Sequence, residues 1–176
     1  MAVCAKYAWP TLASVAVVLA YAGTAHARSP QIAADAGIGA FVANCFSPFM
    51  TAEKAKSRFD QPDIRYDFYD LDPFSNVAPS PASGSVTEGT DRRCEVAFDH
   101  DYAAMAADAV VVQLTKEGIT KEAAVPANYQ ASDGTALLAA RMLNPKRKAV
   151  VHVGTRPGPS GTETFMFVER LLPLNQ

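Results

Sequence analysis

Two histidines, His100 and His152, remain once the first 27 residues are set aside, and histidine is the usual general base and a common metal ligand. Asp99 and Asp101 flank the first, whereas the second lies in a valine-rich run. The chain has no Gly-x-Ser-x-Gly nucleophile elbow and no His-Glu-x-x-His zinc motif. The two aspartates are typical of a helix start. A small hydrolase that uses a histidine and a carboxylate is therefore an alternative hypothesis only.

Three carboxylates, those of Asp67, Asp70 and Asp72, fall within six residues, and hard oxygen ligands of this kind suit calcium. Their spacing does not match the EF-hand loop, and Pro73 follows where that loop needs further ligands. Solvated or helix-capping carboxylates explain the pattern without a metal. We predict no metal site and keep these aspartates as the candidates for one.

Basic side chains flank the valine-rich run that contains His152, with Arg147 and Lys148 before it and Arg156 after it. The segment 156–162 offers backbone amides and hydroxyl groups that are able to cradle an anion. It lacks the lysine pattern of phosphate-binding loops, and its two prolines remove amides. The tip of a hairpin explains the segment, and anion binding by the three basic residues is an alternative hypothesis.

A long irregular loop is predicted at 60–91, because prolines recur through it and its second half is rich in Ser, Pro, Gly and Thr. Its first half mixes the rings of Tyr66, Phe68, Tyr69 and Phe74 with acidic residues. Rings among charges are typical of protein recognition surfaces, although rings that simply cover a sheet explain the composition too. These four residues are the predicted contact with a partner.

Residues 1–27 have the layout of a secretory signal peptide, with Lys6, a short apolar core and the cleavage site Ala25-His26-Ala27. The apolar core is shorter than the roughly 20 residues that span a bilayer. Removing 27 of 176 residues leaves 149, the size of one domain, which we place at 28–176. We expect no transmembrane segment in this part of the chain.

Cys45 and Cys94 are the cysteines that remain after cleavage, and an oxidising compartment favours one disulfide between them. Fifteen basic residues then face 18 acidic ones, a net charge of about −3. This balance gives no reason to expect nucleic acid as a partner. No motif calls for a cofactor.

The elements that would position these residues are read from hydrophobic spacing. Helical spacing covers 31–46 and 102–117, with a short helix after Thr51 and a stop at Gly118. Strands are predicted for 94–98 and for a hairpin with a long glycine-rich tip, 149–154 with 162–170. The segment 120–148 is ambiguous, but the turn-forming pair Asp133-Gly134 favours strands on both sides.

This order predicts an α+β domain of two layers, a mainly antiparallel sheet with helices on one face and one disulfide. We expect a periplasmic or secreted binding domain, not an enzyme. Its partner would be another exported or membrane protein that contacts the aromatic and acidic loop. Calcium or anion binding is a further alternative.

Overall fold

The computed structural model describes residues 1, 29–71 and 87–172. These ranges contain helices and strands with the following bounds: α1 (Pro30–Asn44), α2 (Ala52–Phe59), β1 (Arg65–Asp70), β2 (Thr90–Asp99), α3 (Ala103–Lys116), β3 (Glu122–Ala123), β4 (Thr135–Asn144), β5 (Arg147–Gly158) and β6 (Gly161–Leu171). The predicted cleavage site, Asp72 and Phe74 lie outside the described residues.

Capping residues set the ends of the helices. The hydroxyl of Ser29 accepts a hydrogen bond from the Ile32 amide at the start of α1, and Thr51 begins α2 in the same way. After α3 the chain turns at Gly118, whose φ is 69°, and the Ile119 amide donates to the Leu114 carbonyl. This bond is that of a Schellman motif, which confirms the predicted stop at Gly118. The predicted helices are confirmed as well.

The strands form one antiparallel sheet in the order β1-β2-β6-β5-β4-β3. The tip of the β5–β6 hairpin is shorter than the sequence predicts, since Gly158 pairs directly with Gly161 and two residues form the turn. Cross-strand contacts such as that of Arg156 with Glu163 extend the pairing of β5 with β6 into the segment predicted as a loop. In the ambiguous region, β4 follows Asp133-Gly134 as expected, but only the two residues of β3 form strand before it.

The three helices pack on one face of the sheet, which we call the helix-side face. Its buried apolar side chains include Phe68, Val96, Phe98, Val151, Val153, Met166 and Val168. Among the described residues no helix covers the opposite, open face, which carries ionic side chains and a smaller apolar cluster of Tyr129, Ala140 and Val150. The predicted two-layer α+β architecture is confirmed.

The helix layer is tied to the sheet by the disulfide between Cys45 and Cys94, whose Cα atoms lie 5.5 Å apart. This confirms the predicted pairing, and a disulfide is consistent with folding in an oxidising compartment. Gly37 lets α1 approach β2 closely, because a Cβ there would lie 2.4 Å from Cδ1 of Phe98. The end of α1 is therefore held at a fixed height above the strand that carries Cys94.

Part of the predicted irregular loop is regular structure. Residues Arg65–Asp70 form strand β1, which pairs with β2 at the edge of the sheet. Charged residues interrupt the apolar pattern of this strand, so the spacing of its apolar residues did not predict it. Phe68 is 5% exposed and anchors the strand to the core. No helix in the described ranges is long and apolar enough to cross a membrane.

Candidate functional site

A pocket of about 370 Å³ opens on the helix-side face, between the end of α1, the end of α3 and the sheet. Its apolar lining includes Cys45, Phe46, Ile119, Leu143, Ala149 and Val168. Three arginines, Arg92, Arg147 and Arg170, complete the wall, and we call the site the arginine pocket. Apolar walls with a few convergent polar groups are the usual composition of a small-molecule site.

Strand register brings the arginines together from distant parts of the sequence. Arg92 and Arg170 are cross-strand partners in β2 and β6, and Arg170 also pairs with Ala149 of β5. Arg147 begins β5 two residues before Ala149, so strand alternation places it on the same face. The pocket therefore requires the order β2-β6-β5, which no local pattern encodes.

The guanidinium of Arg92 is fully occupied by the protein. Its Nε and Nη2 donate to the two carboxylate oxygens of Asp70, at 2.8 and 3.0 Å. Its Nη1 donates to the carbonyls of Ser47 and Pro48, at 3.2 and 3.0 Å. Arg92 thus fixes the loop after α1 to the sheet, beside the disulfide, and shapes one wall of the pocket.

The other two arginines share the carboxylate of Asp91, which has no exposed surface. Nε of Arg170 donates to Oδ1 at 2.6 Å, and Nη1 of Arg147 lies 2.8 Å from Oδ2. The second contact is an ion pair whose geometry does not make a hydrogen bond, so Oδ2 is left with an ionic contact alone. This carboxylate anchors the two cations from beneath.

Among the residues that the structure describes, the three arginines outnumber the two aspartates that pair with them. Three guanidiniums face the two carboxylates of Asp70 and Asp91, and the arginine side chains are only 11, 16 and 20% exposed. Glu117 also lines the pocket, but its side chain is exposed and accepts a hydrogen bond from Gln113. A mostly buried charge without a full partner is costly, so the site favours a bound anion.

A second ionic region lies on the open face and is balanced within itself. We call it the ion-pair ladder. Each side chain forms an ion pair with the next across four strands, in this order: Asp99, Arg65, Glu163, Arg156, Glu95 and Arg93. The ladder borders a groove of about 370 Å³ whose floor includes Ala97. The acids of the ion-pair ladder are already paired with arginines. The ladder covers the face of the sheet on which no helix packs among the described residues.

Ionisation within the ladder follows these contacts. A hydrogen bond from Ser160, with Arg65 as a further partner, lowers the pKa of Asp99 despite partial burial. Burial acts to lower the pKa of Arg156, but the carboxylates of Glu95 and Glu163 outweigh it and raise that pKa above its ordinary value. Both shifts favour the charged forms, so Asp99 and Arg156 are ionised near neutral pH.

Tyr129 covers the end of the open face near Glu169. Its hydroxyl donates to Oε2 of that carboxylate at 2.5 Å, and Thr90 donates to the same oxygen at 3.3 Å. Burial, followed by the bond to Glu169, raises the pKa of Tyr129 to about 12. The phenol therefore stays protonated and serves as a donor to a carboxylate that is 1% exposed.

The two histidines lie in different settings. His152 is 8% exposed and packs edge-on between Phe165 and Phe167, with ring centroids at 5.0 and 5.3 Å. Its Nε2 lies 2.9 Å from the hydroxyl of Thr135, and burial lowers its pKa. No carboxylate in the described part of the chain hydrogen-bonds to this ring. His100 is exposed in the link between β2 and α3, with a φ of 72°.

The predicted partner-binding rings are mostly turned inward. Phe68 belongs to the core, and Tyr66 packs against Phe59 with ring centroids 5.5 Å apart. Tyr69 is half-buried on β1, and Phe74 lies outside the described residues. The rings that are described thus serve chiefly to order the strand.

The candidate calcium ligands do not converge. Asp70 is bound to Arg92 on the helix-side face, whereas Asp67 lines the groove on the open face. Asp72 lies outside the described residues. Within the ranges that the structure describes, no three acidic, histidine or cysteine side chains are placed to hold a metal ion.

The three predicted anion-binding residues are separated by the sheet. Arg147 lies in the arginine pocket, Lys148 alternates to the opposite face of β5, and Arg156 belongs to the ion-pair ladder. Sequence analysis missed Arg92 and Arg170. A signal for the first was present, because it lies two residues before Cys94 and so shares the face of the disulfide.

Comparison of the chain with protein-family models, curated proteins and solved structures finds no match.

Proposed function

We propose that this chain is an exported binding domain, periplasmic or secreted, that holds a small organic anion in the arginine pocket. The observation that carries the proposal is the charge balance of the largely buried groups: among the described residues, three guanidiniums face the carboxylates of Asp70 and Asp91, while Glu117 on the pocket wall is exposed to solvent. An anion would complete the pairing, and the adjoining apolar surface would hold the rest of the molecule.

Binding without catalysis is favoured by what lines the pocket. No histidine contributes to its lining, Cys45 is in a disulfide, and the hydroxyl of Ser47 accepts a hydrogen bond from the Phe49 amide. The hydrolase hypothesis would rest on His100 or His152, and neither histidine lines the pocket. His100 is exposed, and the hydrogen-bond partner of His152 is Thr135. A histidine with no carboxylate to orient it is a poor general base.

A protein contact through residues 60–91 remains a prediction. It has less support than the arginine pocket, because Phe68 is a core residue and Tyr66 packs on α2. Such a contact would use β1 at the edge of the sheet, the strand whose Asp70 pairs with Arg92 of the pocket.

Thermal unfolding of the protein in a panel of sodium salts tests the proposal, with benzoate, hexanoate and phosphate compared against chloride at equal ionic strength. At 100 times its dissociation constant a ligand adds about 2.7 kcal/mol, which shifts Tm by roughly 5 to 10 °C for a domain of this size. We expect at least one salt to give a saturable shift.

Arg147→Gln removes the cation with the weakest protein pairing and should abolish that shift. Arg58→Gln is the matched control, because Arg58 is exposed on α2 outside the pocket. The proposal is overturned if no anion exceeds chloride, or if Arg147→Gln responds as the wild type does.

A further inference from the structure

We infer that the anion is an amphipathic monocarboxylate, whose carboxylate binds Arg147 and whose short hydrocarbon body lies against Phe46, Ile119 and Leu143. This inference rests on the proposed function and adds the chemical class of the ligand. It follows from three features of the pocket: which guanidinium edge is open, how much charge is in surplus, and what forms the remaining wall.

Arg147 presents the open edge. All three nitrogens of Arg92 donate to Asp70 and to two backbone carbonyls, while Arg170 donates from Nε to Asp91 and has Nη2 3.7 Å from Oδ1 of Asp70. Arg147 touches Asp91 through Nη1 alone, so its Nε and Nη2 carry no contact among the described residues. Two parallel N–H donors on one edge match the two oxygens of a carboxylate.

The charge balance favours a single negative charge. The three arginines exceed the two aspartates by one, so a monoanion neutralises the cluster. A dianion such as phosphate would leave a surplus negative charge in the same enclosure. Like charges at short range in a partly buried site are unfavourable.

The rest of the wall is apolar and incompletely covered. Phe46, Ile119 and Leu143 are half-buried at the edge of the core, and Val168 and Ala149 form the buried floor. Phe49, the next residue after Pro48 of the pocket wall, is 77% exposed. A volume of about 370 Å³ is at the small end of ligand sites, which suits a short chain or one ring.

Calorimetric titration with sodium acetate, butanoate, hexanoate and octanoate tests the class of ligand, with 1-hexanol and sodium phosphate as comparisons. Each buried methylene should tighten binding about threefold to fourfold until the pocket is filled. The alcohol should bind at least tenfold more weakly than hexanoate, because it lacks the charge.

Leu143→Ala should weaken hexanoate binding several-fold and leave acetate unchanged, which separates a contact with the hydrocarbon from a loss of folding. The chain-length series on the wild type tests the inference even if this variant is unstable. Phosphate binding that equals or exceeds hexanoate, with no dependence on chain length, overturns the inference and leaves only the binding of an anion in the arginine pocket standing. Binding of none of these anions overturns both.

Discussion

Nη1 of Arg147 lies 2.8 Å from Oδ2 of Asp91, a carboxylate with no exposed surface at the base of the arginine pocket. The aspartate holds a cation at the pocket wall and is in turn neutralised by it. Because Arg170 binds the other oxygen, the loss of this one carboxylate would leave two guanidiniums without their buried partner. The pocket is therefore a part of the folded core as well as a binding surface.

Asp91→Asn should destabilise the protein by about 3–5 kcal/mol, because removal of one partner leaves buried charge uncompensated. Urea unfolding followed by circular dichroism measures the change. Asp108→Asn, at an exposed position of α3, is the control and should change stability by no more than about 0.5 kcal/mol. Equal stability of the two variants would mean that Asp91 carries no structural ion pair.

The two glycines of α1 should respond to alanine in opposite directions. Gly37→Ala places a Cβ 2.4 Å from the ring of Phe98, so we expect a loss of about 1–3 kcal/mol from overpacking. Gly39 is exposed with nothing within 4 Å of its Cβ position, so alanine there should add up to about 1 kcal/mol of helix propensity. Thermal melts of both variants measure the pair, and a shift of the same sign in both would contradict the packing of α1 on β2.

Reduction of the disulfide should lower the unfolding free energy by about 4 kcal/mol, the chain-entropy value for cysteines 49 residues apart. Unfolding of the Cys45→Ala, Cys94→Ala double variant gives the same comparison without a reductant. Intact mass of the purified wild type, before and after alkylation, should show no free thiol until reduction. Two alkylated cysteines in the unreduced protein would refute the bridge.

Acid should weaken the fold through His152. Burial lowers the pKa of His152 in the folded state below its ordinary value of 6.5, so folding favours the neutral ring. Its contribution is present above pH 6.5 and is lost as the pH falls through the folded-state pKa. We expect the stability difference between wild type and His152→Gln to shrink from pH 7.5 to pH 5, as measured by urea unfolding. A difference that does not change with pH would contradict the burial of this ring.

Local chemistry in the sequence predicted much of the fold. Cap residues such as Thr51 and the stop at Gly118 act over one turn of helix, and the spacing of apolar residues shows which face is buried. Two cysteines remain after the predicted cleavage and leave one possible bridge, so the pairing of Cys45 with Cys94 followed directly. Strand β1 was missed because Phe68 is its one buried residue and Arg65, Asp67 and Asp70 are interspersed with its rings.

The arginine pocket depended on information that is not local. Arg92, Arg147 and Arg170 are far apart in the sequence and meet only because β6 lies between β2 and β5. Register also decides the role of each basic residue, since a shift of one position would exchange Arg147 and Lys148 between the two faces. The ion-pair ladder was hidden for the same reason, because its acids and arginines come from four different strands.

Calorimetric titration of sodium hexanoate into the wild type and into Arg147→Gln tests the central claim most directly. We predict saturable binding at one site per chain in the wild type, and binding that is about 10- to 100-fold weaker in Arg147→Gln, as expected for the loss of charged hydrogen bonds. Arg58→Gln should bind as the wild type does. Hexanoate that binds wild type and Arg147→Gln with the same affinity would contradict the assignment of the arginine pocket as the ligand site. Hexanoate that binds neither would contradict the monocarboxylate as its ligand.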